Sequence, residues 1–249
     1  MATFVLVHGG WHGGWCWRDV APTLRAAGHD VHAPTLTGLG ARAHLLDVLG
    51  PRLDLATHVA DVVGVLEYED LRDAVLVGHS YGGMVIAGAA DRAPERVSQL
   101  IYLDAFVPAG GQSLFDLLAP ERRAYFQERA RDGGDGSRVP PPSPAALGVT
   151  DETQARWLAA RLTPQPLRTF EQPLALTGPA TSLPRTYVHC TVSPTAASFA
   201  PFAADARDAP DWRYHGLATG HDAMVTQPRE VADVLLASLR AGRRRPRSV

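Results

Sequence analysis

One segment constrains the fold more than any other: Ala74-Val75-Leu76-Val77-Gly78-His79-Ser80-Tyr81-Gly82-Gly83-Met84. Its first four residues form an uninterrupted apolar run, as expected of a strand covered on both faces of a parallel sheet. Gly82–Arg92 is small and apolar, which suits a tightly packed helix. The pattern G-x-S-x-G joins the two. It sets Ser80 on a sharp turn with its hydroxyl projecting into a cleft, and Gly78 and Gly82 allow the neighbouring backbones to approach. A helix starting just after Ser80 aims N–H groups and its positive dipole end at the same point. G-x-S-x-G alone recurs by chance. The strand–turn–helix context is what marks Ser80 as a nucleophile.

The rest of the chain repeats the alternation. Thr3–His8 reads as a strand running into the glycine cluster His8–Gly14, and Trp15–Ala27 reads as a helix stopped by Gly28. His29–Pro34 and Gln99–Phe106 read as strands, and Thr57 is placed to cap a helix carrying Val59, Val62, Val63 and Leu66. From Val107 to Leu183 the pattern changes. Helical stretches near Leu114–Arg131 and Thr150–Leu162 flank a Gly/Pro-rich segment, Asp132–Pro144, and prolines remain frequent as far as Pro184. Regularity resumes with strands at Arg185–Thr191 and Trp212–Leu217 and a helix opened by Pro228 that runs to about Arg240. The prediction is a single domain with a mostly parallel, six-stranded sheet flanked by helices. Its core covers 1–106 and 184–240, interrupted by a helical cap over about 107–183 and followed by a basic tail, 241–249.

Composition removes whole classes of function. All 24 basic residues are arginine, so no mechanism can use a lysine amine, whether as a Schiff base or in a P-loop. Five of those arginines (Arg240, Arg243, Arg244, Arg245 and Arg247) crowd the last ten residues, so the body is more acidic than the net charge of −2 states. An acidic body argues against nucleic acid as a partner, and the tail reads as a solvated end. Two cysteines exclude a disulfide scaffold. No apolar run approaches the ~18–20 residues of a membrane span, and the first residues lack the basic start of a secretory signal. A cytoplasmic protein without membrane contact is expected.

Three motifs together resemble one family: Phe4-Val5-Leu6-Val7-His8-Gly9-Gly10-Trp11-His12-Gly13-Gly14-Trp15, Val77–Met84, and Gly220-His221-Asp222-Ala223-Met224. They are similar to the α/β-hydrolases, in particular to bacterial carboxylesterases related to the plant methylesterase and hydroxynitrile lyase branch. The resemblance covers all but the insertion. It implies the α/β-hydrolase fold, and an oxyanion hole from the N–H groups of Gly10, in the loop after the first strand, and Tyr81, next to the nucleophile. Each such donor is typically worth about 3–4 kcal/mol of barrier. His221 lies between the last strand and the closing helix, in the family's Ser…His order, and serves as the general base that a serine hydroxyl requires. His8 and His12 read as organisers of the glycine loop, because no glutamate accompanies them as in a zinc-protease helix. His79 is expected to line the site without being the base, and His29, His32, His44, His58, His189 and His215 have no partner pattern.

The third member of the triad departs from the plant pattern. Those enzymes place an aspartate two residues after a Cys-Thr pair, and here Cys190-Thr191-Val192 is followed by Ser193. A neutral serine cannot stabilise an imidazolium as a carboxylate does. An alternative location in such folds is the end of the strand after the nucleophile helix, which Asp104 occupies. Asp104 is therefore the expected acid, with Asp205, Asp208 and Asp211 as alternatives; Asp222 adjoins His221 but is expected to point away.

In the lyase branch a lysine follows the catalytic histidine, and this lysine-free chain has Asp222 there. Ester hydrolysis through an acyl-enzyme is favoured, on small apolar or aromatic substrates. The alternatives are a thioesterase, lactonase, C–C lyase or natural-product tailoring enzyme on the same scaffold, or a receptor-like binding fold. The cap supplies apolar side chains for a pocket: Leu114, Phe115, Leu118, Tyr125, Phe126, Trp157, Leu158 and Leu162, beside Phe106. Trp11, His79, Phe106, Phe115, Trp157 and Met224 are the expected lining. No metal, nucleotide or flavin is implied, since the glycine clusters do not form G-x-G-x-x-G before a helix. The partner is a small ester-like molecule, and a homodimer is the assembly common among the relatives.

Overall fold

Strand residues here alternate between two buried faces. Val5, Val7, Leu76, Leu100 and Tyr102 pack into one core cluster, and Phe4, Leu6, Val75, Val77, Ile101 and Leu103 into another. Both faces are apolar because both are covered by helices, which is why the strands read as continuous runs and not as alternating ones. A computed structural model describes residues 1–177 and 183–240 and shows this arrangement. The basic-tail residues 241–249 lie outside the described residues.

The first half of the chain contains β1 (Thr3–Val7), α1 (Ala21–Ala26), β2 (Asp30–His32), α2 (His44–Leu49), α3 (Leu55–Tyr68), β3 (Ala74–His79), α4 (Gly82–Arg92) and β4 (Val97–Leu103). The insertion that follows holds α5 (Pro120–Gly133), β5 (Arg138–Val139), α6 (Glu152–Ala159), β6 (Gln165–Pro166) and α7 (Arg168–Glu171). The chain then returns to the core with β7 (Arg185–Cys190), α8 (Ala196–Asp208), β8 (Trp212–Leu217), α9 (Ala223–Thr226) and α10 (Pro228–Arg240).

The six core strands form one parallel sheet in the order β2-β1-β3-β4-β7-β8. Helices α3, α4 and α8 contribute to the first cluster, and α1, α9 and α10 to the second. The sheet sets the carboxyl ends of β3, β4 and β7 side by side, His79 pairing with Leu103 and Leu103 with Val188. Ligands of open α/β sheets bind at that edge. Among the described residues no helix is long and apolar enough to cross a membrane.

Several boundaries differ from expectation. Asp54, and not Thr57, caps α3: its side chain accepts from the Thr57 N–H at 3.0 Å, and the Thr57 hydroxyl donates to the same carboxylate. The helical stretch at Trp15–Ala27 divides into a 3-10 turn, Gly14–Trp17, and α1, and Leu114–Arg131 divides likewise before α5. In both places a proline, Pro22 or Pro120, opens the new helix, because a residue without an N–H fits only the first turn. The expected strand to Phe106 ends at Leu103, where Asp104 takes a positive φ of 42°. The two-stranded antiparallel ribbon β5–β6 had no signal in the pattern.

Candidate active site

Ser80 sits in the turn between β3 and α4 with φ of 54°, a left-handed conformation that is strained for a residue with a side chain. Close packing enforces it. A Cβ on Gly78 would lie 2.6 Å from the Gly82 carbonyl oxygen, and one on Gly82 2.8 Å from that of Val7. The end of β4 holds the turn further: the Ser80 N–H donates to Leu103 at 3.2 Å, and the Phe106 N–H donates to the Ser80 carbonyl at 3.2 Å.

Asp104 begins where β4 stops. Its N–H donates to the Val188 carbonyl at 2.7 Å, and its buried side chain turns toward β7 and β8. One carboxylate oxygen accepts from the Cys190 N–H at 3.2 Å. The other accepts from His221 Nδ1 at 2.7 Å. With Nδ1 committed to the carboxylate, Nε2 is the nitrogen left for other chemistry. Phe199 stacks on the imidazole at 4.7 Å and 16°, fixing the ring plane. His221, Ser80, Gly10 and Tyr81 all line one pocket.

The alternative acids lie elsewhere. Asp205 and Asp208 are exposed on α8, and Asp211 pairs with Arg185. Ser193 is buried and shares a hydrogen bond of 2.8 Å with the Thr195 hydroxyl. Asp222 makes no hydrogen bond to the His221 ring and meets His12 at 2.9 Å.

The glycine loop is built by its histidines. His8 Nδ1 donates to the Gly9 carbonyl at 2.8 Å, and its Nε2 accepts from the Leu36 N–H at 3.0 Å, so the ring is neutral. Burial pushes its pKa down to about 3. Trp11 takes a positive φ of 65°, and its N–H donates to Gln165 in the cap at 3.0 Å. Among the described residues the N–H groups of Gly10 and Tyr81 are engaged by no other protein group. Unpaired donors at a pocket wall suit a ligand oxygen. The Tyr81 side chain points away, its hydroxyl bonded to buried His58 at 2.9 Å, while His58 donates to the Thr37 carbonyl at 2.8 Å.

Of the expected lining, Trp11 and Phe106 are in the pocket wall, as are Leu114, Leu118 and Phe126 from the cap. Four expected residues are not. His79 is fully buried, and its Nε2 donates to the His221 carbonyl at 3.0 Å. Phe115 packs behind Phe170, Trp157 packs on Trp15, and Met224 is in the core on the far face of the sheet. Tyr125, Leu158 and Leu162 are also outside the wall. Phe170 and Phe199 line it as well, beside Arg122, Leu147, Thr195 and Ser198, and no motif marks either ring: the first lies in the proline-rich stretch and the second in a plain amphipathic helix. The cavity is narrow, about 50 Å³, and mostly apolar at its wall.

His79, His221 and Asp222 place potential metal-ligand atoms within 4.8 Å of one another. Each of the three has one atom engaged in the protein: His221 Nδ1 with Asp104, Asp222 with His12, and His79 Nε2 with the His221 carbonyl.

Comparison with known proteins adds to this geometry. A model of the alpha/beta hydrolase family matches residues 4–234. A carbendazim hydrolyzing esterase from Nocardioides sp. (strain SG-4G) is 44% identical over 245 residues, covering 95% of this chain and 99% of its own. The esterase PIR7B of Oryza sativa subsp. japonica is 37% identical over 111 residues, covering 45% of this chain and 41% of its own. Among solved structures, an extracellular alpha/beta-hydrolase from a Paenibacillus species, described as sharing structural and functional homology with tobacco salicylic acid binding protein 2, superposes with a TM-score of 0.83. It is 26% identical and covers 96% of this chain and 99% of its own.

Proposed function

This chain belongs to the alpha/beta hydrolase family and is an ester-cleaving enzyme, and we propose that it works through a serine acyl-enzyme built from Ser80, His221 and Asp104. The observation that carries the reading is the bond of 2.7 Å from His221 Nδ1 to buried Asp104, on an imidazole that lines the same pocket as Ser80. Ser80 Oγ attacks the ester carbonyl while His221 Nε2 takes its proton. The oxyanion that forms accepts from the free N–H groups of Gly10 and Tyr81. His221 then gives the proton to the departing alcohol, leaving an acyl group on Ser80. A water molecule, deprotonated by His221, cleaves that acyl group as a carboxylic acid and restores the serine.

The pocket wall favours small, uncharged acyl or alcohol groups of apolar or aromatic character. Trp11, Phe106, Phe126, Phe170 and Phe199 surround the space next to Ser80. The Nocardioides relative makes carbendazim the first compound to try beside simple esters. For location and assembly the reading keeps the cytoplasm and a homodimer. Free, buried Cys16 and Cys190 suit a reducing compartment.

The test is a panel of p-nitrophenyl esters with a fluorophosphonate probe, on the wild type and Ser80→Ala. Turnover and labelling in the wild type, both lost in the variant, are expected. Labelling without ester turnover would favour a specialised enzyme on this scaffold, and no labelling of folded wild-type protein would favour a binding fold.

A further inference from the structure

The loop that carries Gly10 and the loop that carries His221 come from opposite ends of the chain and are joined beneath the pocket. His12 and Asp222 are both buried, and His12 Nε2 lies 2.9 Å from an Asp222 carboxylate oxygen. The other ring nitrogen, Nδ1, lies 2.7 Å from the Gly10 carbonyl oxygen. A carbonyl can only accept, so Nδ1 carries a proton. An ionised carboxylate can also only accept, so Nε2 carries a second one. The ring is then an imidazolium. Burial pulls the His12 pKa down, but the adjacent Asp222 charge and the bonds to Asp222 and Gly10 carry it above the ordinary value. A buried carboxylate needs such a partner, since its second oxygen has no hydrogen bond and lies 3.9 Å from His79 Nε2.

Each member of this pair is tied to a segment that carries a site group: His12 holds the Gly10 carbonyl, one peptide beyond the Gly10 N–H, and Asp222 directly follows His221. The Gly10–Trp11 peptide is held at its carbonyl by His12 and at its N–H by Gln165, whose amide is in turn fixed by Thr169 at 2.6 Å. The His221–Asp222 peptide is held at its carbonyl by His79 at 3.0 Å and at its N–H by the Leu147 carbonyl at 3.1 Å. The Asp222 side chain connects the second plane to the first through His12. Neither residue lines the pocket.

We propose that the buried His12–Asp222 ion pair is a positioning element that fixes the Gly10 amide and the His221 imidazole relative to each other. The proposal rests on the esterase reading above. It predicts an effect on the chemical step and not on substrate binding, because the oxyanion exists only after attack, and a displacement of ~1 Å at such a site costs on the order of 100-fold.

The experiment compares Asp222→Asn, His12→Gln and the double variant on p-nitrophenyl acetate, each rate divided by the number of sites that a fluorophosphonate titrates. Asp222→Asn keeps the shape and removes the charge. Expected is a fall in kcat of roughly 10- to 100-fold with KM within about twofold. The double variant should be no slower than the worse single one, since both break the same link. Wild-type kcat per titrated site in both single variants, or a change confined to KM or to Tm, would overturn the proposal. The wild type supplies a test free of any folding defect. Nitrogen-15 spectra of the His12 ring should show both nitrogens protonated at pH 7, and a ring with one proton would overturn the ion pair. Failure of the wild type to react with the probe would instead remove the esterase reading and this proposal with it.

Discussion

Asp104 and His221 are 117 residues apart in the chain and share a hydrogen bond of 2.7 Å, made possible by a left-handed residue at the end of β4. The acid thus approaches the imidazole from the strand beside the nucleophile strand. The Ser193 hydroxyl, two residues past the Cys-Thr pair, hydrogen-bonds among the described residues with Thr195 alone.

Asp104→Asn is predicted to lower kcat by roughly 10³- to 10⁴-fold, the scale of losing the carboxylate that holds a catalytic imidazole in its working tautomer. KM should stay within a few-fold. Asp208→Asn and Asp211→Asn should retain kcat, because neither carboxylate reaches the site. Steady-state kinetics on one ester decides between them. A fully active Asp104→Asn would eliminate the assignment.

Glycines offer a paired test of the elbow. Gly78→Ala puts a Cβ 2.6 Å from backbone that cannot move without displacing Ser80. It should destabilise by about 1–3 kcal/mol and lower kcat together. Gly64→Ala, in the middle of α3 with open space at its Cβ, should stabilise by about 0.5–1 kcal/mol. Urea unfolding of the two variants should move in opposite directions.

Phe126 closes the pocket against Trp11 at 5.6 Å and Phe170 at 5.8 Å. Phe126→Ala is predicted to shift the preference toward longer esters, raising the kcat/KM of a hexanoate relative to an acetate by about 10-fold, roughly the value of one or two methylenes in an apolar pocket. An unchanged ratio would mean that neither part of the ester reaches this wall.

Stability should fall in mild acid. Burial lowers the pKa of His8 to about 3 and depresses His58 and His79 as well. Unfolded histidines titrate near 6.5, so below that pH the unfolded chain binds protons that these folded sites refuse. Their contribution is whole above about pH 6.5 and is lost as the pH falls toward 3. His12 has the opposite sign: its contribution is whole below about 6.5 and lost as the pH rises through its raised folded value, so it gains slightly as the pH falls from 7 and offsets only a small part of the acid loss. From pH 7 to 5 His8 alone should remove about 2 kcal/mol of unfolding free energy. Equal urea midpoints at the two values would contradict this.

Some of the site could be read from local sequence because local sequence builds it. The turn at Ser80 needs glycines two residues either side, and the strand before it needs apolar residues on both faces, so a short window carries the whole pattern. The sheet was legible for the same reason, since two-sided burial leaves unbroken apolar runs. Boundaries were less so. Thr57 looked like a cap because its neighbours were helical, yet an aspartate three residues earlier is the stronger acceptor.

The pocket was beyond local reading. An apolar side chain in a cap helix has the same pattern whether it faces Ser80, as Phe126 does, or packs behind another ring, as Phe115 does. His79 stands next to Ser80 in the chain, but alternation along β3 sends its ring beneath the site instead of into it. The strand and helix pattern, the strained turn at Ser80 and the loop that bears His221 could be read from the chain, because each is written in residues that are near neighbours in sequence. Tertiary structure alone decided which carboxylate meets His221, which rings enclose the pocket, and that His12 and Asp222 bind the two ends of the chain together. Those contacts join residues far apart in sequence, and only the register of the sheet brings them within hydrogen-bond range.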